Sequence, residues 1–331
     1  MTRVDRMQIL AFRLRAGHLE RRLARTLLPV ASPTGLQDSA PRSAVLSLHA
    51  RVDAVPANAW KDHRFSQVWG PRGAIRVVPA ADAAVFTAGL LPRPRDEADE
   101  IAALAERAAA VLGDRRLTGT DLLDALPDLT VSDVRRASRS GRLRVRWDGV
   151  DTLVWAVDAP SREPEDLRLD LARRYLSAHG PSGSAEFAAW AGVSAGDAKA
   201  TFAALGDERA RVTTPAGARW MLERDLPALA ADGPVLGVRL LPPGDPHLEN
   251  PDRATTVPDG TRHATVWARS VPPGALLVDG EIAGTWRRRG SRMTIAAWEP
   301  PAAAVRAAAE HEAETMPLPF HRTVTVEWTA A

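Results

Sequence analysis

Cysteine is absent from the 331 residues. That absence removes disulfides, thiolate nucleophiles, cysteine zinc sites and iron–sulfur clusters together. Lysine is nearly absent as well, at Lys61 and Lys199 only, so the positive charge is almost all arginine. No apolar run approaches the ~20 residues a membrane span needs, which argues against a membrane partner. The opening stretch, MTRVDRMQILAFRLRAGHLERRL, has neither the unbroken apolar segment nor the small-residue cleavage site of a secretory signal. A cytoplasmic location is the expectation. Eight histidines are scattered without an HxxxH or HExxH pair, so a metal centre is not expected. Phosphate-loop glycine motifs and the GxSxG nucleophile elbow are missing, and no cofactor is expected.

What is present is a chain able to fold. Hydrophobic residues make up 45%, enough for a packed core. The length suits two or three domains of roughly 100–200 residues each. Net charge is only +2. Arginine bias can follow from a GC-rich genome, so where arginine is unbalanced by acid says more than how much of it there is. Ten tryptophans stand beside one tyrosine, most of them on expected strands or helix stripes, and these read as core. Trp286 is the exception, at the base of an arginine-rich tip.

Apolar spacing predicts a first helix over 7–27, a turn at Ser32-Pro33-Thr34-Gly35, and a helix over 41–54 with Pro41 in its first turn. A strand follows at 74–78 and a helix over 80–90. An acidic, alanine-rich helix over 93–116 leads into a compact pattern. Thr120 and Thr130 precede two short helices, Gly141 stops the second, and 143–147 and 152–157 alternate around Asp148-Gly149. Helix, helix, hairpin is the winged-helix order. It recurs after Pro164, with helices over 165–179, 184–191 and 194–205 and a hairpin around Pro215-Ala216-Gly217. The remainder is strand-rich, with strands expected at 235–241, 264–269, 275–278, 282–287, 292–297 and 323–328, and a helix over 300–315. The fold class expected is mixed α/β (α+β): three tandem winged-helix units over 1–92, 93–163 and 164–232, then a β-rich portion over 233–331.

Two basic arrays stand out. Arg135, Arg136, Arg139, Arg142, Arg144 and Arg146 lie in a segment, 134–147, without one acidic residue. In a winged helix this covers the end of the recognition helix and the first strand of the wing, and the array suits phosphate neutralisation. Arginines near a helix C-terminus are also favoured for their own sake. The second array is TWRRRGSR, with Arg287, Arg288, Arg289 and Arg292 around Gly290, a hairpin tip suited to holding a DNA backbone. Duplex DNA is the partner these arrays fit.

Three segments then come together: TGLQDSAPRSAVLSLHARV over 34–52, WGPRGAIRVVPAAD over 69–82, and LLVDGEIAGTWRRRGSR over 276–292. In this order and spacing the chain resembles the AlkZ/YcaQ-like tandem winged-helix proteins, some of which are DNA glycosylases that remove bulky or cross-linking alkyl adducts. The resemblance runs from about Arg13 to about Glu314. It implies a monomeric enzyme acting on alkylated purines in damaged duplex DNA without a cofactor, in some bacteria as self-protection against a DNA-alkylating natural product. It places the basic hairpin near the lesion. The family's catalytic motif is Gln, any residue, Gln or Asp. Here the stretch is Gln37, Asp38, Ser39, so the first position matches and the third does not. An amide such as Gln37 can orient a water, and a carboxylate can stabilise an oxocarbenium-like sugar. Asp38 and Ser39 are therefore candidates to assist, and either can instead cap the helix that follows. Arg72 falls in the family's Trp-x-x-Arg-Gly segment, Arg76 stands where histidine is usual, and Arg42 neighbours the motif. All three are taken as DNA-facing. Asp245 matches an Asp after a Leu-Pro strand end. His49 reads as a satisfied, partly buried side chain. The altered third position also fits a non-catalytic winged-helix DNA-binding protein, a regulator or lesion binder.

Overall fold

A two-residue strand, β1 (Thr2–Arg3), is followed by Asp5, whose carboxylate accepts the Gln8 amide while the Gln8 side chain accepts the Asp5 amide. This reciprocal cap opens α1 (Arg6–Ala16). The helix is shorter than the apolar spacing predicts, because Gly17 ends it and His18, at φ 55, turns the chain away. The computed structural model describes residues 2–31, 33–39, 42–231, 233–318 and 323–330. Ser32 and Pro41, expected in a turn and a helix start, lie outside the described residues.

β2 (Leu36–Gln37), α2 (Ser43–Arg51), β3 (Phe65–Trp69) and β4 (Ile75–Pro79) follow. No helix spans 80–90. Two single turns, Ala80–Asp82 and Ala88–Leu90, stand there instead. Thr87 holds the Ala83 carbonyl, and Gly89 lies so close to the Leu167 backbone that a Cβ would sit 3.0 Å from its carbonyl oxygen. Tertiary contact overrides local propensity at this point.

Next come α3 (Arg95–Leu112), β5 (Leu117–Thr118), α4 (Gly119–Ala125), α5 (Val131–Ala137), β6 (Leu143–Trp147) and β7 (Thr152–Ala156). Thr118 and Thr130 cap α4 and α5 through reciprocal bonds with Asp121 and Asp133. One six-stranded sheet, ordered β2-β4-β3-β6-β7-β5, runs across residue 93 and joins the first two expected units. The seam is narrow, Gln67 of β3 opposite Val145 of β6.

α6 (Pro164–His179), α7 (Ser184–Ala191) and α8 (Ala195–Ala204) precede the hairpin of β8 (Arg209–Thr214) and β9 (Gly217–Leu222). β1 adds to β8 in parallel, so the N-terminal strand completes a three-stranded sheet, β1-β8-β9. The buried Tyr175, Phe187, Trp190 and Phe202 share a core with Val68, Val78 and Phe86, which fixes α6, α7 and α8 against the sheet that carries β2.

The C-terminal portion holds α9 (Leu226–Leu229), β10 (Val238–Leu241), α10 (Arg253–Thr256), α11 (His263–Val266), β11 (Gly274–Val278), β12 (Glu281–Arg289), β13 (Arg292–Ala297), α12 (Ala303–Glu314) and β14 (Thr325–Ala330). Its five strands run β10-β11-β12-β13-β14, and only the last pair is parallel. Asp279 and Gly280 both take positive φ, 46 and 86, in the two-residue turn between β11 and β12. No strand forms at 264–269; its first half belongs to the short helix α11 and the rest is irregular. The Asp259 side chain accepts the Thr261 amide and starts a turn that leads into α11. The fold is mixed α/β, and no helix among the described residues is long and apolar enough to cross a membrane.

Candidate active site

Strand alternation decides what the Gln37 segment does. β2 lies antiparallel to β4, with Gln37 opposite Arg76, and the Asp38 amide donates to the Ile75 carbonyl. Successive side chains therefore point to opposite faces. Gln37 and Ser39 emerge together, the Gln37 Nε2 donating to Ser39 Oγ at 3.0 Å in an exposed setting. Asp38 points inward and is fully buried. Its Oδ2 accepts from Arg42 Nη1 at 2.8 Å and Gln67 Nε2 at 3.2 Å, and its Oδ1 accepts the Ala44 amide at 3.2 Å. Burial pushes this carboxyl up to about 6, against the pull of Arg42 and the Ala44 amide. Asp38 thus anchors the start of α2. Reaching a substrate would require breaking three hydrogen bonds, which corrects the expectation that it assists at the surface.

Arg42 belongs to the same buried knot. It sits in the left-handed region at φ 65, stacks 3.7 Å over the Trp60 ring and donates to the Trp147 carbonyl. It serves Asp38, not a DNA phosphate. Gln67, missed in the sequence, bridges the knot to the β6–β7 hairpin: its Oε1 accepts the Trp147 amide at 2.6 Å. The signal for it was a lone amide inside the apolar strand FSQVW.

The other side of Gln37 is set by the loop after β10. Gly244 sits at φ +73, and a Cβ there would lie 3.1 Å from Gln37 Cδ. The next residue, Asp245, is fully buried and pairs with Arg51 through two bonds of 2.7 Å. Four residues further on, Glu249 accepts from Arg76 at 2.7 and 2.9 Å and from Arg72 at 2.6 Å. Arg76 is wholly buried, so its guanidinium supports the β4–loop junction and does not face DNA. Arg72 is held by the same carboxylate but keeps 43% of its side chain exposed. His49 is buried with Nε2 3.3 Å from the Glu312 carbonyl, and burial lowers its pKa.

The basic hairpin reaches the same end of the molecule. Leu241, the last residue of β10, is level with Ala275 and Thr285. Beyond that line β10 continues through Pro242 and Pro243 to Gly244 against Gln37, while β12 and β13 overhang as Arg287, Arg288, Arg289 and Arg292. Arg287, Arg289 and Arg292 are exposed and Arg288 is half-buried. Trp286 is not part of the tip. It is buried, its Nε1 donates to the Leu241 carbonyl at 2.9 Å, and its ring lies on Gly274, where a Cβ would come within 2.2 Å. It is a core residue that levers the hairpin out.

The first array is largely engaged within the protein. Arg136 and Arg142 pair with Glu100 and Glu106 on α3. Arg139 donates to the Gly192 carbonyl, and Arg144 to the carbonyls of Gly141 and Leu143. The Arg135 and Arg146 guanidiniums make no hydrogen bond or ion pair among the described residues.

An amide and a hydroxyl thus stand side by side at the end of the molecule from which the β12–β13 arginines project. The chain matches the AlkZ-like DNA glycosylase family over residues 30–317 and belongs to it. It is a DNA glycosylase of DNA repair, a hydrolase of the bond between base and deoxyribose. It is 24% identical over 273 residues to a curated protein of Streptomyces sahachiroi described as an interstrand DNA cross-link repair glycosylase, covering 68% of this chain and 71% of that one. Its fold is similar to the solved structure of the Streptomyces sahachiroi DNA glycosylase AlkZ, with a TM-score of 0.80 over 99% of this chain and 100% of that chain at 19% identity.

Proposed function

We propose that this glycosylase excises bulky purines alkylated at a ring nitrogen from duplex DNA, acting as a monomer, with Gln37 and Ser39 as its water-holding pair. The observation that carries the reading is their pairing at 3.0 Å on the exposed face of β2. With its Nε2 engaged by Ser39, Gln37 keeps Oε1 as an acceptor. A water donating to Oε1 and accepting the Ser39 hydroxyl is held by two groups, enough to aim it at C1′. The carboxylates beside the pair are already engaged, Asp38 by Arg42 and Glu249 by Arg72 and Arg76. Little negative charge is left to stabilise an oxocarbenium ion. The leaving group must then carry its own activation. A purine alkylated at N7 or N3 is cationic, and its departure takes up the electron pair of the broken C1′–N9 bond and neutralises it. Water adds to C1′, loses a proton to solvent and leaves an abasic site. The exposed arginines of the β12–β13 tip, with Arg72, Arg135 and Arg146, hold the backbone. The three helix–hairpin segments are read as winged-helix units cradling the duplex.

The test is base release from duplexes carrying N7-methylguanine, a bulky N7-intercalator adduct, and neutral uracil, with Gln37→Ala alongside. Release of the cationic bases alone, reduced roughly 10²–10³-fold in Gln37→Ala, is expected. Release of uracil, or full activity in the variant, overturns the mechanism.

A further inference from the structure

Behind the Gln37 segment lies a small cavity of about 20 Å³. Four buried polar atoms without a hydrogen-bond partner belong to residues that line it: Arg13 Nη1, Thr34 Oγ1, His179 Nε2 and His247 Nε2. Their residues come from α1, the turn three residues before Gln37, the end of α6 and the loop after Asp245. Four such unpartnered groups on residues around one space are costly unless something satisfies them.

We infer that this cavity is a binding site for a single small anion of halide size. The lining includes two guanidiniums, Arg13 and Arg51, and no carboxylate among the described residues. Asp252 and Asp245, which pair with these arginines, do not line it. Arg13 Nη1 can only donate, and the other three atoms can all donate in a suitable rotamer or tautomer. Both histidines are uncharged at neutral pH. Burial first, then Arg13, the neighbouring His247, Arg76 and Arg51 drive the His179 pKa well below its ordinary value, and at His247 burial outweighs the opposing pull of Asp245. The cavity of about 20 Å³ exceeds the roughly 10–15 Å³ that one water needs and leaves room for one monatomic ion. Bound there, the ion would fasten the turn that leads into Gln37 to three other elements at once.

The site is read without DNA, so its test stands apart from that of the glycosylase reading. Thermal unfolding of the full chain is followed at fixed ionic strength while gluconate is exchanged for chloride or bromide. Crystals grown in bromide are examined by anomalous scattering. A saturable rise in Tm of roughly 2–4 °C is expected, together with a bromide peak among the four atoms. Thr34→Val keeps the side-chain shape and removes one donor, and it should abolish the rise. Identical Tm values in all salts with only a water in the cavity overturn the proposal. A halide effect that Thr34→Val leaves intact also overturns it, since the ion would bind elsewhere. Should Thr34→Val fail to fold, the bromide peak or its absence decides.

Discussion

Two neighbouring residues of the Gln37 segment have opposite fates, and their substitutions should separate cleanly. Gln37 is half-exposed and bonds to Ser39, so Gln37→Ala should leave stability within about 0.5 kcal/mol while removing activity. Asp38 is buried with Arg42, Gln67 and the Ala44 amide on its oxygens. Asp38→Ala strands the Arg42 charge and should cost about 3–5 kcal/mol in urea unfolding. An unchanged midpoint would show that the carboxylate does not hold α2. The period of two was legible at this spot in hindsight, because any strand ending at Gln37 puts residues 37 and 39 on one face. The partners of Asp38 were not legible. Gln67 lies 29 residues away, and Arg51 and Asp245 meet across 194. No local pattern announces such a pairing, and the inward turn of Arg76 follows from a partner equally remote, Glu249, whereas Arg42 turns in towards Asp38 only four residues away.

Among the elements, those with strong local chemistry were readable. Asp279-Gly280 announces its turn, and Thr130 meets an aspartate three residues on, whereas the cap of the helix before it is Thr118, with Thr120 inside that helix. The 80–90 segment and the 264–269 segment were misread because their neighbours decide them, the α6 backbone in one case and the Asp259 turn in the other. The second basic array kept its exposure, whereas the first spends most of its charge on α3 and on nearby carbonyls. Arg287→Ala with Arg289→Ala should therefore weaken DNA binding and lower the slope of log K against log salt by about 2, at roughly 0.9 for each phosphate no longer neutralised. The Arg136→Ala, Arg142→Ala pair should change that slope far less. Equal slopes for wild type and the Arg287/Arg289 variant in a salt titration would take the hairpin off the DNA.

For the whole molecule, buried titratable groups set the response to acid. The His247 pKa is lowered from 6.5 to about 4, mainly by burial, and that of His179 falls in the same direction. Folded imidazoles bind protons more weakly than unfolded ones, so this stability is present above about 6.5 and is lost as pH falls towards 4. The loss from His247 alone is on the order of 3 kcal/mol. Asp38 acts with the opposite sign: its folded pKa is raised from 3.8 to about 6, so its contribution is fully present at the acid end and fades as pH rises through 6. Tm measured from pH 7.5 to 4.5 should fall in wild type and fall less in His247→Gln. Parallel curves would show that His247 does not drive the acid response.

The seam between the first two units is one strand pair wide, and Gln67 stands on it. One end of its amide holds the β6–β7 hairpin at Trp147 and the other holds Asp38. It works as a rivet through two plates. If a duplex leans on the β6–β7 hairpin as proposed, the load is delivered to the carboxylate that props α2 and, through it, to the strand that carries Gln37. On that proposal grip on the DNA and aim of the amide are one mechanical event, and loosening the rivet would leave a protein that still holds its substrate but no longer points at it.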